Sequence, residues 1–389
     1  MMSKTSISRR TFISVGTGAA AVAALAGLAG CAGGSGSGSA ASASASSSAE
    51  ASAASEGAGS SASAAAPAGE TVTITDLRGD TVDVPVKIEK IADLWHAHNQ
   101  IVLMLGAGPK LVGTTENFKK RPWANVVFPQ IADVAALVVG TGAGEVNYEE
   151  ALNLEPDVVF ASDPDVTDSA RSQGLTTVNV MFQDYEGLRN DVKLTAEILG
   201  EDAVDIATEW EALLDENIKL VADRMKDVDD ADKVKVLHIV NPSAFTTVDG
   251  LNNIVDEWIK LAGGVNALTA EGNMIEVTME DIVAADPEVI IIGSGAAQAV
   301  KDLMADEAWS GITAVKNGAV YANPSGVFAW DRYSGEEALQ VLWAAKKLNP
   351  DKFEDVDMAQ VTKDFYKEFY GYELSDEDAE RILNGEDPA

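Results

Sequence analysis

The chain of 389 residues carries 28 basic and 62 acidic side chains, a formal net charge of −34, and one cysteine. A surface this acidic repels nucleic acid and anionic headgroups, which excludes nucleic acid as a partner. One cysteine excludes an internal disulfide framework. In chain order, residues 1–31 read as an export signal. Lys4, Arg9 and Arg10 supply the charged start, 13–29 a small apolar run, and Leu28-Ala29-Gly30-Cys31 its end. Ser8-Arg9-Arg10-Thr11-Phe12-Ile13 also fits a twin-arginine signal. Residues 32–69 are almost wholly Ser, Ala and Gly and can bury no core, so they read as a disordered, flexible tether.

The body has a two-domain length. Runs 71–75 and 81–84 flank Arg78-Gly79-Asp80 and predict a hairpin with that tripeptide as its turn. Residues 90–94 predict a strand, 95–99 a loop and 100–105 a helix ended by Gly106 or Gly108. The run 111–115 is the next strand, 117–123 a basic, aromatic loop, and 177–181 the last strand of the lobe. From 184 to about 228 the chain reads as helix nearly throughout, with Ile206, Trp210, Leu213, Leu214, Ile218, Val221 and Met225 at three- and four-residue steps. The second lobe follows: strand 234–240, helix 251–261, strand 319–322, then Ser334 and Glu337 as a capping box for a helix through Leu348. Helices 358–370 and 375–383 complete it.

One phrase occurs twice. Asn147-Tyr148-Glu149-Glu150-Ala151-Leu152-Asn153-Leu154-Glu155-Pro156 precedes the apolar run 158–161. Thr278-Met279-Glu280-Asp281-Ile282-Val283-Ala284-Ala285-Asp286-Pro287 precedes 289–292. Each reads as a short helix opened by its Glu and closed by its Pro, with the residue before the Pro extended, then a strand buried on both faces. Two copies imply two like lobes.

With these residues in place, the chain resembles the substrate-binding lipoproteins of bacterial ABC importers for ferric siderophores, haem and cobalamin. The carriers are 92–99, 105–115, both repeat phrases, 256–264, 315–321 and Gly326-Val327-Phe328-Ala329-Trp330-Asp331-Arg332. The resemblance implies two similar α/β lobes joined by one long α-helix, with a ligand cleft between them. The division is then a signal at 1–31, a tether at 32–69, an N-terminal lobe at 70–183, a connecting helix at 184–228 and a C-terminal lobe at 229–389. It also implies that Glu149 and Glu280 dock onto a dimeric permease working with its ATPase. Cys31, in what resembles a lipobox, is the lipidation site that anchors a monomer to the extracytoplasmic face of the cell membrane.

Ligands of α/β lobes gather at the carboxyl ends of strands. The loops there offer Trp95, His96, His98, Arg121, Trp123, Phe245, Phe328, Trp330, Arg332 and Tyr333 as ligand-binding candidates, while Phe118 and Phe182 are assigned to lobe core. Aromatic walls suit a metal chelate. Arg121 and Arg332 suit its carboxylates or catecholates, with a structural Asp331–Arg332 pair as the alternative. The chain has three histidines, too few for the convergent ligands a bare metal needs, and His238 reads as a core residue. No cofactor is expected beyond the cargo, an iron or cobalt chelate: a ferric siderophore first, with cobalamin, haem or a nickel complex as alternatives. An exported enzyme is the rival class, but Gly-x-Ser-x-Gly and His-Glu-x-x-His are absent.

Overall fold

The computed structural model describes residues 69–140, 144–293 and 296–389. Cys31, the signal and all but the last residue of the tether lie outside those residues. The body opens on a hairpin of β1 (Thr71–Thr75) and β2 (Thr81–Pro85). Its turn forms because Asp76 Oδ1 accepts from the N–H groups of Arg78 and Asp80 while Gly79 takes φ 93°.

The first lobe is a sheet of β3 (Ile91–Asp93), β4 (Leu111–Thr115), β5 (Ala135–Val139), β6 (Glu145–Val146), β7 (Val158–Ala161) and β8 (Thr177–Asn179). Its spatial order is β6-β5-β4-β3-β7-β8, parallel except for β5 with β6. Helices α1 (His98–Met104), α2 (Glu116–Lys119), α3 (Pro122–Val127), α4 (Tyr148–Leu154) and α5 (Pro164–Ser172) fill the connections. The segment 117–123, expected as a loop, is mostly helical. Thr115 caps α2 by accepting from Phe118 N at 3.0 Å, and Pro122 begins α3 where its missing N–H is harmless.

The run 184–228 is two helices rather than one. α6 (Tyr185–Leu199) ends at Gly200, whose φ of 109° breaks the helix. α7 (Glu201–Met225) then starts and packs against α6. At 25 residues α7 is the long connecting element, about 37 Å at 1.5 Å per residue.

The second lobe contains β9 (Val234–Asn241), β10 (Ala244–Val248), β11 (Gly264–Asn266), β12 (Ile275–Glu276), β13 (Val289–Ile292) and β14 (Val320–Ala322). They run β12-β10-β9-β13-β14, with β11 also on β9. Around them lie α8 (Ile254–Leu261), α9 (Met279–Ala285), α10 (Ala297–Ala305), α11 (Thr313–Lys316), α12 (Glu337–Leu348), α13 (Met358–Phe369) and α14 (Asp376–Leu383). The expected capping box at α12 does not form: Ser334 Oγ accepts from Glu336 N instead, and Glu337 is buried within the first turn.

Central strands split their side chains between two apolar layers. Ile91, Val158, Phe160, Val236, Val289 and Ile291 join one continuous core shared by both lobes, with Trp210, Trp258 and Trp343. Ala92, Val159 and Ala161 face a small outer core in one lobe; Leu237, Ile239, Ile290 and Ile292 face another in the second. The repeat helices sit over these outer cores, α4 through Ala151 and α9 through Ile282. Both helices end with a left-handed residue, Glu155 (φ 50°) and Asp286 (φ 43°), each just before the Pro. The extended conformation expected there is therefore replaced by a non-glycine αL cap.

The lobes are tied by more than α7. Trp210 Nε1 donates to Gly335 O (2.7 Å) and Asn217 Nδ2 to Ala338 O (2.8 Å), which fixes the start of α12 against α7. The residues beyond α14 reach back to the first lobe, where Trp123 Nε1 donates to Glu386 O at 2.9 Å.

Candidate functional site

The carboxyl end of β3 is held by its own last residue. Asp93, fully buried, accepts from Trp95 N (3.0 Å) and from His98 Nδ1 (2.7 Å). This pins the loop so that Trp95 and His96 meet the segment after β14. Trp95 packs against Phe182 and Tyr333, each with ring centres 5.5 Å apart, and His96 lies 5.6 Å from Phe328. The Arg121 guanidinium lies 4.0 Å over the same Phe328 ring. Among the described residues, no hydrogen bond or ion pair engages that guanidinium. Burial lowers its pKa, while Asp331 and Glu336 act on it only through space. Burial, then the Arg121 charge, take the His96 pKa down to about 4, so the imidazole is neutral at physiological pH. The junction thus gathers one half-buried cation, one half-buried neutral imidazole and the buried rings of Trp95, Phe182 and Phe328.

A cavity of about 490 Å³ adjoins this cluster, lined by Leu94, Trp95, His96, Ser162, Asp163, Asn179 and Met181 and by Leu77 and Arg78 of the hairpin. It lies outside the ends of β3 and β7, where the strand order of the first sheet reverses. That reversal is where open α/β sheets take ligands.

The remaining candidates are placed differently. His98 is fully buried with both ring nitrogens engaged, Nε2 meeting Thr195 Oγ1 (3.0 Å) and Asp191 Oδ1 (3.5 Å), so it has no free face for a ligand. Trp123 is core, its N–H spent on Glu386. Phe245 packs edge-on against Trp309 in the outer core of the second lobe. Trp330 is fully buried. Arg332 is neither a simple pair with Asp331 nor free: it binds Asp249 and, at 3.0 Å, Asn273 Oδ1, with Asp331 Oδ2 3.6 Å from its Nε. Tyr333 is half-buried in the left-handed region (φ 61°), and its hydroxyl meets Gln183 Oε1 of the opposite lobe at 3.3 Å. Phe182, assigned to lobe core, is buried but packs on Trp95 and Tyr333 where the lobes meet.

Sequence reasoning missed Glu336. Its Oε2 accepts from Phe328 N at 2.8 Å, fixing the ring that covers Arg121. Burial lifts its pKa to about 7 against the pull of Tyr366 and the backbone N–H groups. The signal was there: two adjacent Glu residues, Glu336 and Glu337, stand at the start of a helix that is mostly apolar as far as Ala345. Glu149 and Glu280 stand exposed in the first turns of α4 and α9, over the outer cores of their lobes.

Two lobes meeting at a junction of aromatic rings and one guanidinium, unpaired among the described residues, are the build of a ligand-binding protein. The family described as periplasmic binding protein matches residues 91–326, and the chain belongs to it. The chain is 29% identical over 342 residues, 79% of this chain and 93% of the other, to the molybdate-binding protein MolA of Haemophilus influenzae. It is 26% identical to an uncharacterised ABC transporter substrate-binding lipoprotein, YvrC, of Bacillus subtilis, covering 73% of this chain and 87% of that one. Among solved structures, a periplasmic solute binding protein of Veillonella parvula superposes with a TM-score of 0.69 at 28% identity, over 81% of this chain and 97% of its own. MolA bound to molybdate superposes with a TM-score of 0.69 at 25% identity, over 78% of this chain and 99% of its own. The chain is therefore a substrate-binding component of an ABC importer, acting outside the cytoplasm with a permease and its ATPase; it is not an enzyme.

Proposed function

We propose that the protein captures an anionic ligand at the lobe junction and hands it to its permease. The observation that carries this reading is Arg121: a guanidinium at the junction, unpaired among the described residues, beside the neutral His96. A half-buried cation left without a partner is partly desolvated at a cost, and an anion that pairs with it recovers that cost. An oxyanion of the molybdate class is the first candidate, supported by the likeness to MolA. An anionic ferric siderophore is the second, favoured by the adjoining cavity of about 490 Å³ and by Trp95, Phe328 and Tyr333; cobalamin, haem and nickel complexes follow it. No cofactor is assigned beyond the ligand.

In this reading Glu149 and Glu280 meet basic residues on a permease dimer, and Cys31 carries a lipid that holds a monomer at the membrane. The ligand test is titration calorimetry with molybdate, tungstate, sulfate, a ferric catecholate, haem and cobalamin. Arg121→Ala should weaken whichever anion binds by about tenfold to a hundredfold, the worth of one charge-assisted contact. Tight binding of an uncharged or cationic ligand, unaffected by Arg121→Ala, would overturn the reading.

A further inference from the structure

The repeat helices match in structure, residue by residue. Tyr148 and Met279 are half-buried, Glu149 and Glu280 exposed, Ala151 and Ile282 buried, Leu154 and Ala285 half-buried; only Glu150 and Asp281 differ in exposure. Asn147 and Thr278 cap the two starts, and left-handed Glu155 and Asp286 the two ends. One shared feature serves neither fold nor cap. Leu152 is 40% exposed and Val283 53% exposed, and each stands three residues after its Glu. Three residues on a helix place the aliphatic side chain on the same face as the acid, about 60° round and one turn along.

A single exposed aliphatic residue needs no explanation. Its recurrence at the same place in two lobes, next to the same acid, does. Neither Leu152 nor Val283 belongs to the outer cores or to the side chains packed against them, so local packing does not demand an aliphatic residue there. Two like patches, one per lobe, require a partner with two like sockets, which is what a two-fold symmetric dimer presents. The acid beside each patch requires those sockets to be basic. Water shields an exposed ion pair, and an aliphatic neighbour that seals the rim removes that water and strengthens the pair.

We infer that Leu152 and Val283 belong to the permease-docking footprint, each an aliphatic knob seated beside the basic residue that meets Glu149 or Glu280. This rests on the docking reading above and adds to it an apolar, salt-insensitive component.

The experiment measures binding of the lipidated protein to the permease–ATPase complex of its own importer in nanodiscs, across a range of salt. Leu152→Ser and Val283→Ser should each weaken binding about tenfold, the loss expected for a buried aliphatic group. The double variant should be weaker still, with the salt dependence kept. Glu149→Ala with Glu280→Ala should weaken binding and flatten the salt dependence. Leu152→Ile should restore the wild-type value, and all variants should keep the wild-type melting temperature. If the Ser variants bind like wild type while the Glu variants are weak, the aliphatic contribution is wrong and docking stands. If the Glu variants also bind like wild type, the docking reading falls and takes this inference with it. If wild type is a dimer in solution and the Ser variants are monomers with unchanged permease binding, the patches serve a second copy of the chain and the inference is overturned.

Discussion

Each lobe buries a histidine between two aspartates, and the two clusters are charged differently. In the first lobe His98 lies 2.7 Å from Asp93 Oδ2 and 3.5 Å from Asp191 Oδ1. In the second, His238 lies 2.7 Å from Asp249 Oδ2 and 3.2 Å from Asp331 Oδ2. All are buried. The second cluster also holds Arg332, so two cations face two acids. There burial would raise both acids, but the cations win: Asp249 falls to about 2, and Asp331 also drops below its usual value. The first cluster has one cation for two acids. Burial wins on the acids and both are raised, while the two acids overcome burial on His98 and push it up to about 10. The two arginines near the junction are used differently. Arg332 is held in place as a counter-ion; Arg121, across the junction, is not.

The sharpest way to break this difference is Arg332→Ala, which leaves the second lobe with the first lobe's imbalance. Removing one member of a buried ion network costs about 3–5 kcal/mol, because the remaining charges lose their partner. Urea unfolding at pH 7 should show that loss; an unchanged midpoint would mean Arg332 is not neutralising the cluster.

A smaller effect comes from pH. His98 has a folded pKa of about 10, above its usual 6.5, so its contribution is complete below about pH 6.5 and is lost as pH rises through 10. Asp249 behaves oppositely: its contribution is present above about pH 4 and is lost as pH falls through about 2. Between pH 7 and 9 the His98 contribution should therefore fall by about 1–3 kcal/mol, and the same scan on His98→Asn should be shallower, keeping only the part due to His238, whose pKa its two aspartates also raise. Equal slopes for the two proteins would remove His98 as the cause.

The smallest expected change is Asp191→Asn. This acid is raised by burial, and its Oδ2 has no hydrogen-bond partner among the described residues. Making it neutral should cost less than about 1 kcal/mol, since the lost pairing is offset by relief of desolvation. A loss above 3 kcal/mol in thermal unfolding would show that the first cluster needs both acids ionised.

Much of the fold was legible because its strands are apolar runs bounded by Pro and Gly, as at Val158–Ala161 and Val289–Ile292. Strands β10 and β12 were not, because Ala-Phe-Thr-Thr-Val and Ile-Glu are short and half-polar, and only pairing makes them strands. The break at Gly200 was missed because apolar spacing continues across it. In the candidate site, Trp95, His96, Arg121, Phe328 and Tyr333 do gather at one junction. Residue type alone could not separate them from His98 and Trp123, which have partners distant in sequence. His98 is fixed by Thr195, 97 residues away, and Trp123 by Glu386, 263 residues away.

That last bond bears on how the protein is made. Trp123 sits in a core that both lobes share, and its indole N–H has to wait for a carbonyl synthesised 263 residues later. The last residues of the chain thus complete the hydrogen bonding inside the first lobe, and a chain cut short of Glu386 leaves the Trp123 N–H without that partner.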